Sequence, residues 1–193
     1  MKTIKYTFLL TYSLLIFSCS NKESEPLFEL MKTEETGISF NNKIVNTEEF
    51  NIFNYRNFYN GGGVAIGDIN NDGLPDIFFT SNMGANKLYL NKGNFKFEDI
   101  SKKAGIEQAD KWNTGVVMAD VNNDGLLDIY VCNAGYKKFT SNQKNTLFIN
   151  NGVSNSSGGA VTFTESAAKY GLDEGGYTTH AAFFDYDLDG DLD

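Results

Sequence analysis

Short apolar runs, each four or five residues long and closed by Gly, Asn or Asp, recur along this chain. Gly63-Val64-Ala65-Ile66-Gly67 has a counterpart in Gly115-Val116-Val117-Met118-Ala119, and Ile77-Phe78-Phe79-Thr80 has one in Ile129-Tyr130-Val131-Cys132. Runs this short, rich in β-branched and aromatic residues and bounded by turn formers, read as strands. Two more apolar stretches follow in each unit, around Leu88 to Leu90 and Phe95 to Asp99 in the first. The pattern therefore predicts units of four short strands.

The likeness between units extends beyond the strands. Asn86-Lys87-Leu88-Tyr89-Leu90-Asn91-Lys92-Gly93 matches Asn145-Thr146-Leu147-Phe148-Ile149-Asn150-Asn151-Gly152, and the segment from Phe97 to Ile106 matches that from Phe163 to Leu172. The interval from Asp68 to Asp120 is 52 residues and that from Asp120 to Asp185 is 65, with the extra residues confined to turns. A repeated structural unit tolerates insertions there. Four-stranded units at this spacing predict an all-β fold, a partial β-propeller of about two complete blades plus the start of a third over residues 28–193. A parallel β-helix, whose repeats are shorter, is the alternative. The segment from Phe28 to Ile38 loosely echoes Phe97 to Ile106 and reads as the end of a preceding unit. Two blades cannot close a ring, and an open sheet edge templates association. The chain is thus expected to be part of a longer protein that supplies its missing blades, or to associate.

Between the first two strands of each unit lies a nine-residue acidic loop. Asp68-Ile69-Asn70-Asn71-Asp72-Gly73-Leu74-Pro75-Asp76 is the first, and the second runs from Asp120 through Asn122, Asp124 and Leu126 to Asp128. The third runs from Asp185 through Asp187, Asp189 and Asp191 to Asp193. Each places oxygen side chains at positions 1, 3, 5 and 9, Gly at position 6, and a carbonyl at position 7 (Leu74, Leu126, Asp191). Ca²⁺ takes six to eight hard oxygen ligands in such mixtures. Asp, Asn and Gly also make ordinary turns, but three loops in register, each with three or more carboxylates, repel themselves without a cation. They are not EF-hands. The twelfth positions are Phe79 and Val131, where that motif needs a bidentate Glu, and the flanks read as strands.

The formal charge of −9 is dominated by the eleven acidic groups of these loops. With no basic patch, a nucleic-acid partner is not expected. The N-terminus is different in kind. Lys2 and Lys5 precede an apolar run from Phe8 to Phe17, too short to span a bilayer, followed by Ser18-Cys19. This predicts a lipoprotein signal peptide over residues 1–18, lipidation at Cys19, and a polar tether over residues 19–27. Several acyl chains on Cys19 would anchor the chain to a membrane without spanning it, as an outer-membrane or cell-surface lipoprotein. The other cysteine, Cys132, sits in an apolar strand and is expected to be a buried small hydrophobe.

Together the loops and the strands around them resemble FG-GAP/VCBS repeats, the calcium-binding blades of integrin-α-like propellers. Thr36-Gly37-Ile38-Ser39-Phe40, Phe58-Tyr59-Asn60-Gly61-Gly62-Gly63 and Asn86 to Asn91 further resemble bacterial members of the cartilage acidic protein (ASPIC/UnbV-type) group. The resemblance implies an extracellular Ca²⁺-binding propeller and carries the family's metal positions onto the three loops. The third loop departs from it, with Asp187 and Asp191 where the others have Asn and Leu.

No catalytic constellation emerges, and no enzyme activity is expected in these residues. His180, the sole histidine, stands where the other units have Gly63 and Gly115. Phe50, Phe53, Tyr55, Phe58 and Tyr59, with Arg56, would make a stacking platform for sugar or peptide if exposed, but rings of this size usually pack. Trp112 is expected to pack as well. The expected function is a surface-anchored, calcium-stabilised binding or adhesion module with a protein or glycan partner. The alternative is an accessory propeller of a longer extracellular enzyme, for example one acting on polysaccharide.

Overall fold

The computed structural model describes residues 26–134, 143–154 and 159–193. The signal peptide, Cys19 and most of the tether lie outside them. The chain divides into two units, Met1–Met31 and Lys32–Asp193, and the architecture belongs to the second.

The short apolar runs become two antiparallel meanders. β1 (Val64–Gly67), β2 (Asp76–Phe79), β3 (Lys87–Asn91) and β4 (Phe97–Asp99) pair in sequence order. β5 (Asn113–Ala119), β6 (Asp128–Asn133), β7 (Thr146–Ser154) and β8 (Ala160–Glu165) repeat that order in a second sheet. Every pairing is antiparallel, which excludes the parallel β-helix. Gly67 pairs with Asp76 and Ala119 with Asp128, so each acidic loop closes the hairpin between the first two strands of its sheet.

The two sheets share a core. Ala65, Phe78 and Leu88 on one face of the first meet Val116, Ile129, Val131 and Phe148 of the second. The fully buried side chains of Phe78, Leu88, Ile129 and Val131 are each worth about 1.5–3 kcal/mol relative to exposure, so this seam fixes the strand register on both sides. A one-residue slip would turn its apolar set outward. The opposite face of the second sheet (Tyr130, Cys132, Leu147) packs on Ala167, Ala181 and Phe183, the last two from the start of the third unit.

Three features differ from the sequence expectation. After each fourth strand comes a one-turn helix that the strand pattern does not predict: α2 (Ser101–Ala104) and α3 (Ala167–Tyr170), ended by Gly105 and Gly171 in the left-handed region. α1 (Thr33–Thr36), ended by Gly37, repeats this turn, so the echo in residues 28–38 is helical in part. Phe28 is exposed and no strand precedes α1 among the described residues. Second, the aromatic stretch divides. Phe50, Tyr55 and Phe58 pack edge-on or tilted around Trp112 at centroid distances of 4.9–5.6 Å, whereas Phe53 is 97% and Tyr59 57% exposed. Third, the lead-in to the third loop is extended but forms no strand among the described residues. It is tied to the second sheet by Thr114 Oγ1 donating to the Thr178 carbonyl (2.7 Å).

Candidate metal centre

The three acidic loops fold alike because the same two positions turn the chain. Position 4 has positive φ in each (Asn71 57°, Asn123 57°, Leu188 64°), as does position 6 (Gly73 86°, Gly125 85°, Gly190 97°). Asn tolerates the left-handed region, Gly is indifferent to it, and Leu is strained in it. The double reversal points backbone N–H groups inward at the first carboxylate. Asp68 accepts from the amides of Asp72 (3.1 Å) and Gly73 (2.7 Å), and Asp120 from Asp124 (3.1 Å) and Gly125 (2.8 Å). Asp185 accepts likewise from Asp189 (3.2 Å) and Gly190 (3.1 Å). Asn70, Asn122 and Asp187 at position 3 accept from the same position-5 amide. Position 5 in turn accepts from position 7: Leu74, Leu126 and Asp191 donate to Asp72, Asp124 and Asp189.

Position 9 is built differently. Asp76 and Asp128 are fully buried, and both oxygens of each are held by backbone. Asp76 accepts from Ile69 (3.0 Å) and Asn91 (2.7 Å), Asp128 from Val121 (3.1 Å) and Asn150 (2.8 Å). Burial pushes both carboxyls above the usual carboxylate range, against the lowering effect of those amides. The neighbouring first and fifth carboxylates push them further in the same direction. Asp193 accepts from Tyr186 (2.8 Å) but is exposed.

Asn91 and Asn150, at the ends of equivalent stretches of β3 and β7, are the residues that sequence reasoning missed. Beyond their amides to position 9, Asn91 Nδ2 donates to the Pro75 carbonyl (2.8 Å) and Asn150 Nδ2 to that of Leu127 (3.1 Å). Their recurrence was visible in the repeat. Their role was not, because pairing of the second and third strands is needed to bring them beside the loop.

The donor set suits a hard cation. Each loop offers side-chain oxygen at positions 1, 3, 5 and 9 and a carbonyl at 7, with no nitrogen or sulfur ligand among those positions. In the third loop, Asp185, Asp187 and Asp193 bring carboxylate oxygens within 4.8 Å of one another. The neighbouring carboxyls of Asp189 and Asp191 push Asp191 up and Asp189 down, and the other loops have Leu74 and Leu126 at the position of Asp191.

The remaining singled-out residues carry no comparable site. Cys132 is buried and its thiol is pushed up to about 11 by burial, which makes it inert. His180 has no hydrogen-bond partner among the described residues. It edges a cavity of about 240 Å³ with Tyr55, Asn57, Asn60 and Gly115, and no charged side chain lines that space. No helix of the described residues is long and apolar enough to cross a membrane.

Comparison with known proteins agrees with this reading of the repeats. The FG-GAP-like repeat family matches residues 48–131. Cartilage acidic protein 1 of Xenopus tropicalis is 34% identical over 119 residues, covering 61% of this chain and 18% of that protein. The mouse (Mus musculus) and human (Homo sapiens) forms are each 39% identical, over 69 and 72 residues, covering 11% of their length. The chain spans less than a fifth of the length of these relatives. Residues 48–131, which hold the first sheet and the first two loops, match the FG-GAP-like repeat family, in a chain similar over 119 residues to cartilage acidic protein 1.

Proposed function

We propose that this chain is part of a calcium-stabilised β-propeller that works outside the cytoplasm as a binding or adhesion module, held to a membrane by lipid on Cys19. The observation that carries the calcium reading is the common geometry of the three loops, each turning on positive φ at positions 4 and 6 around an all-oxygen donor set. Asp68, Asn70, Asp72, Asp76 and the Leu74 carbonyl would hold the first ion. Their counterparts from Asp120 to Asp128 and Asp185 to Asp193 would hold the others. A bound cation supplies positive charge that lets three or more carboxylates share one turn. The chain's own part is to present them preorganised by backbone amides, which lowers the ordering cost of binding.

Binding outside the cytoplasm fits the kinship with the cartilage acidic proteins. The cavity beside His180 is where we expect a partner to reach in. Its walls are amide, ring and glycine backbone without net charge, which suits a neutral hydroxyl-bearing group such as a sugar unit better than a charged peptide. The alternative, an accessory propeller of a longer enzyme, would keep the same loops.

Calorimetric titration tests the metal reading. Ca²⁺ should bind, Mg²⁺ more weakly because it prefers an octahedral shell and keeps its waters, and Asp72→Ala and Asp124→Ala should each abolish one site. Unchanged stoichiometry in both variants would refute it. The anchor is tested by palmitate labelling, expected for the natural chain and lost in Cys19→Ala.

A further inference from the structure

The first two loops touch. Asn71, at position 4 of the first, donates through Nδ2 to the Gly125 carbonyl at position 6 of the second (3.0 Å). Asn150, the brace of the second loop, donates through Nδ2 to the Ile69 carbonyl at position 2 of the first (2.8 Å). The sheets meet so closely there that a methyl group on Gly67 would lie 2.6 Å from Leu127 Cδ1. Asn123 occupies the position equivalent to Asn71 with the same φ of 57°, yet its amide bonds to nothing among the described residues.

We propose that Asn71 and Asn150 are positioning residues that couple the first two loops, so that a cation in one raises the affinity of the other. The inference rests on the calcium reading above. A cation in the first loop immobilises residues 68–76 and with them Asn71, whose amide then holds the Gly125 peptide. Gly125 lies between Asp124 and Leu126, which supply the ligands at positions 5 and 7. The same ion fixes the Ile69 carbonyl, and through it Asn150, whose backbone amide orients Asp128. Part of the ordering cost of the second loop is therefore met before its ion arrives, which is positive coupling without any large movement. Coupling is reciprocal, so filling the second loop first has the same effect. One hydrogen bond of ordinary net strength corresponds to about a fivefold change in affinity.

The test is a Ca²⁺ titration by calorimetry on the full chain carrying Asp187→Ala, so that only the first two loops titrate. The expected result is two ions, the second bound about fivefold tighter than the first. Adding Asn71→Gly, which keeps the left-handed turn and removes only the amide, should weaken the coupling to the part carried by Asn150. Asn123→Gly should leave the coupling intact and controls for loop flexibility. Two independent sites in the parent, or coupling undiminished by Asn71→Gly, would overturn the inference while leaving calcium binding in place. Absence of any Ca²⁺ binding would overturn the calcium reading and the coupling with it.

Discussion

The first two acidic loops and the third have nearly the same spacing and backbone turn, but they do not have the same support. Asp76 and Asp128 close their loops inside a sheet, with a strand on either side and an asparagine of the next strand donating to the carboxylate. Asp193, the last described residue, closes the third loop with the Tyr186 amide and its own amide to the Phe184 carbonyl, and among the described residues no asparagine donates to its carboxylate. A ligand pattern is therefore local, while its rigidity comes from the pairing of strands. The first two loops are held in shape by the fold. Among the described residues, the third is held by its own turns.

Removing the last carboxylate should separate the two kinds of loop most sharply. Asp128→Ala strands the buried amide of Asn150 and the part-buried one of Val121, each costing about 1–3 kcal/mol, so urea unfolding should show a loss of about 2–6 kcal/mol. Asp193→Ala exposes its Tyr186 amide to water and should cost less than about 1 kcal/mol. Equal losses would show that strand pairing contributes nothing to the loops.

Cation binding comes next. A ligand that binds only the native form stabilises it by about 2.7 kcal/mol at a hundredfold excess over Kd. Chelation should thus lower the melting temperature and open the chain to protease within the loops. Protection within residues 68–76 and 120–128 should return when calcium is restored. Melting indifferent to chelator would mean that the loops are ordinary turns.

Proton uptake sharpens the same contrast. The raised carboxyls of Asp76 and Asp128 gain their proton at higher pH in the folded than in the unfolded chain. Without calcium, they favour folding progressively as pH falls through the raised values, and this benefit is lost as pH rises above them. With calcium, the same protonation competes with the ion, so affinity at the first two loops should weaken as pH falls toward those values. Unfolding midpoints with and without calcium, followed from about pH 7 to about pH 4, should converge. Curves that stay parallel would sink the assignment of Asp76 and Asp128 as ligands.

The smallest effect lies at position 4. Leu188 is 87% exposed and held at positive φ, where Asn71 and Asn123 sit without strain. Leu188→Gly should relieve a penalty of about 1 kcal/mol, offset in part by the extra freedom of glycine in the unfolded chain. Circular-dichroism melting of the calcium-bound protein should show a small gain, where the same change at Asn123 shows a loss or none.

Much of this protein was legible without coordinates because its signals are local. The strand pattern located β1, β2, β5 and β6 to within a few residues, since each is a short apolar run bounded by Gly, Asn or Asp. The loops announced themselves by spacing alone. The one-turn helices did not, because Ser101 to Ala104 and Ala167 to Tyr170 are too short to show a period. Phe53 was inseparable from Phe50 and Tyr55 in sequence. All three are aromatic, and only the placement of Trp112 decided which rings are enclosed.

By itself, then, the chain's order of residues determined strands, hairpin loops and donor atoms, each a property of ten or so neighbouring positions. Which loops are rigid, which asparagines brace them, and that the first loop is bonded to the second were decided by tertiary structure alone. Asn150 and Ile69 are 81 positions apart, and no local preference can state that two such groups will meet. Their contact follows from the apolar seam between the sheets, which sets one hairpin against the next at a fixed distance and leaves the polar groups at its end to find one another.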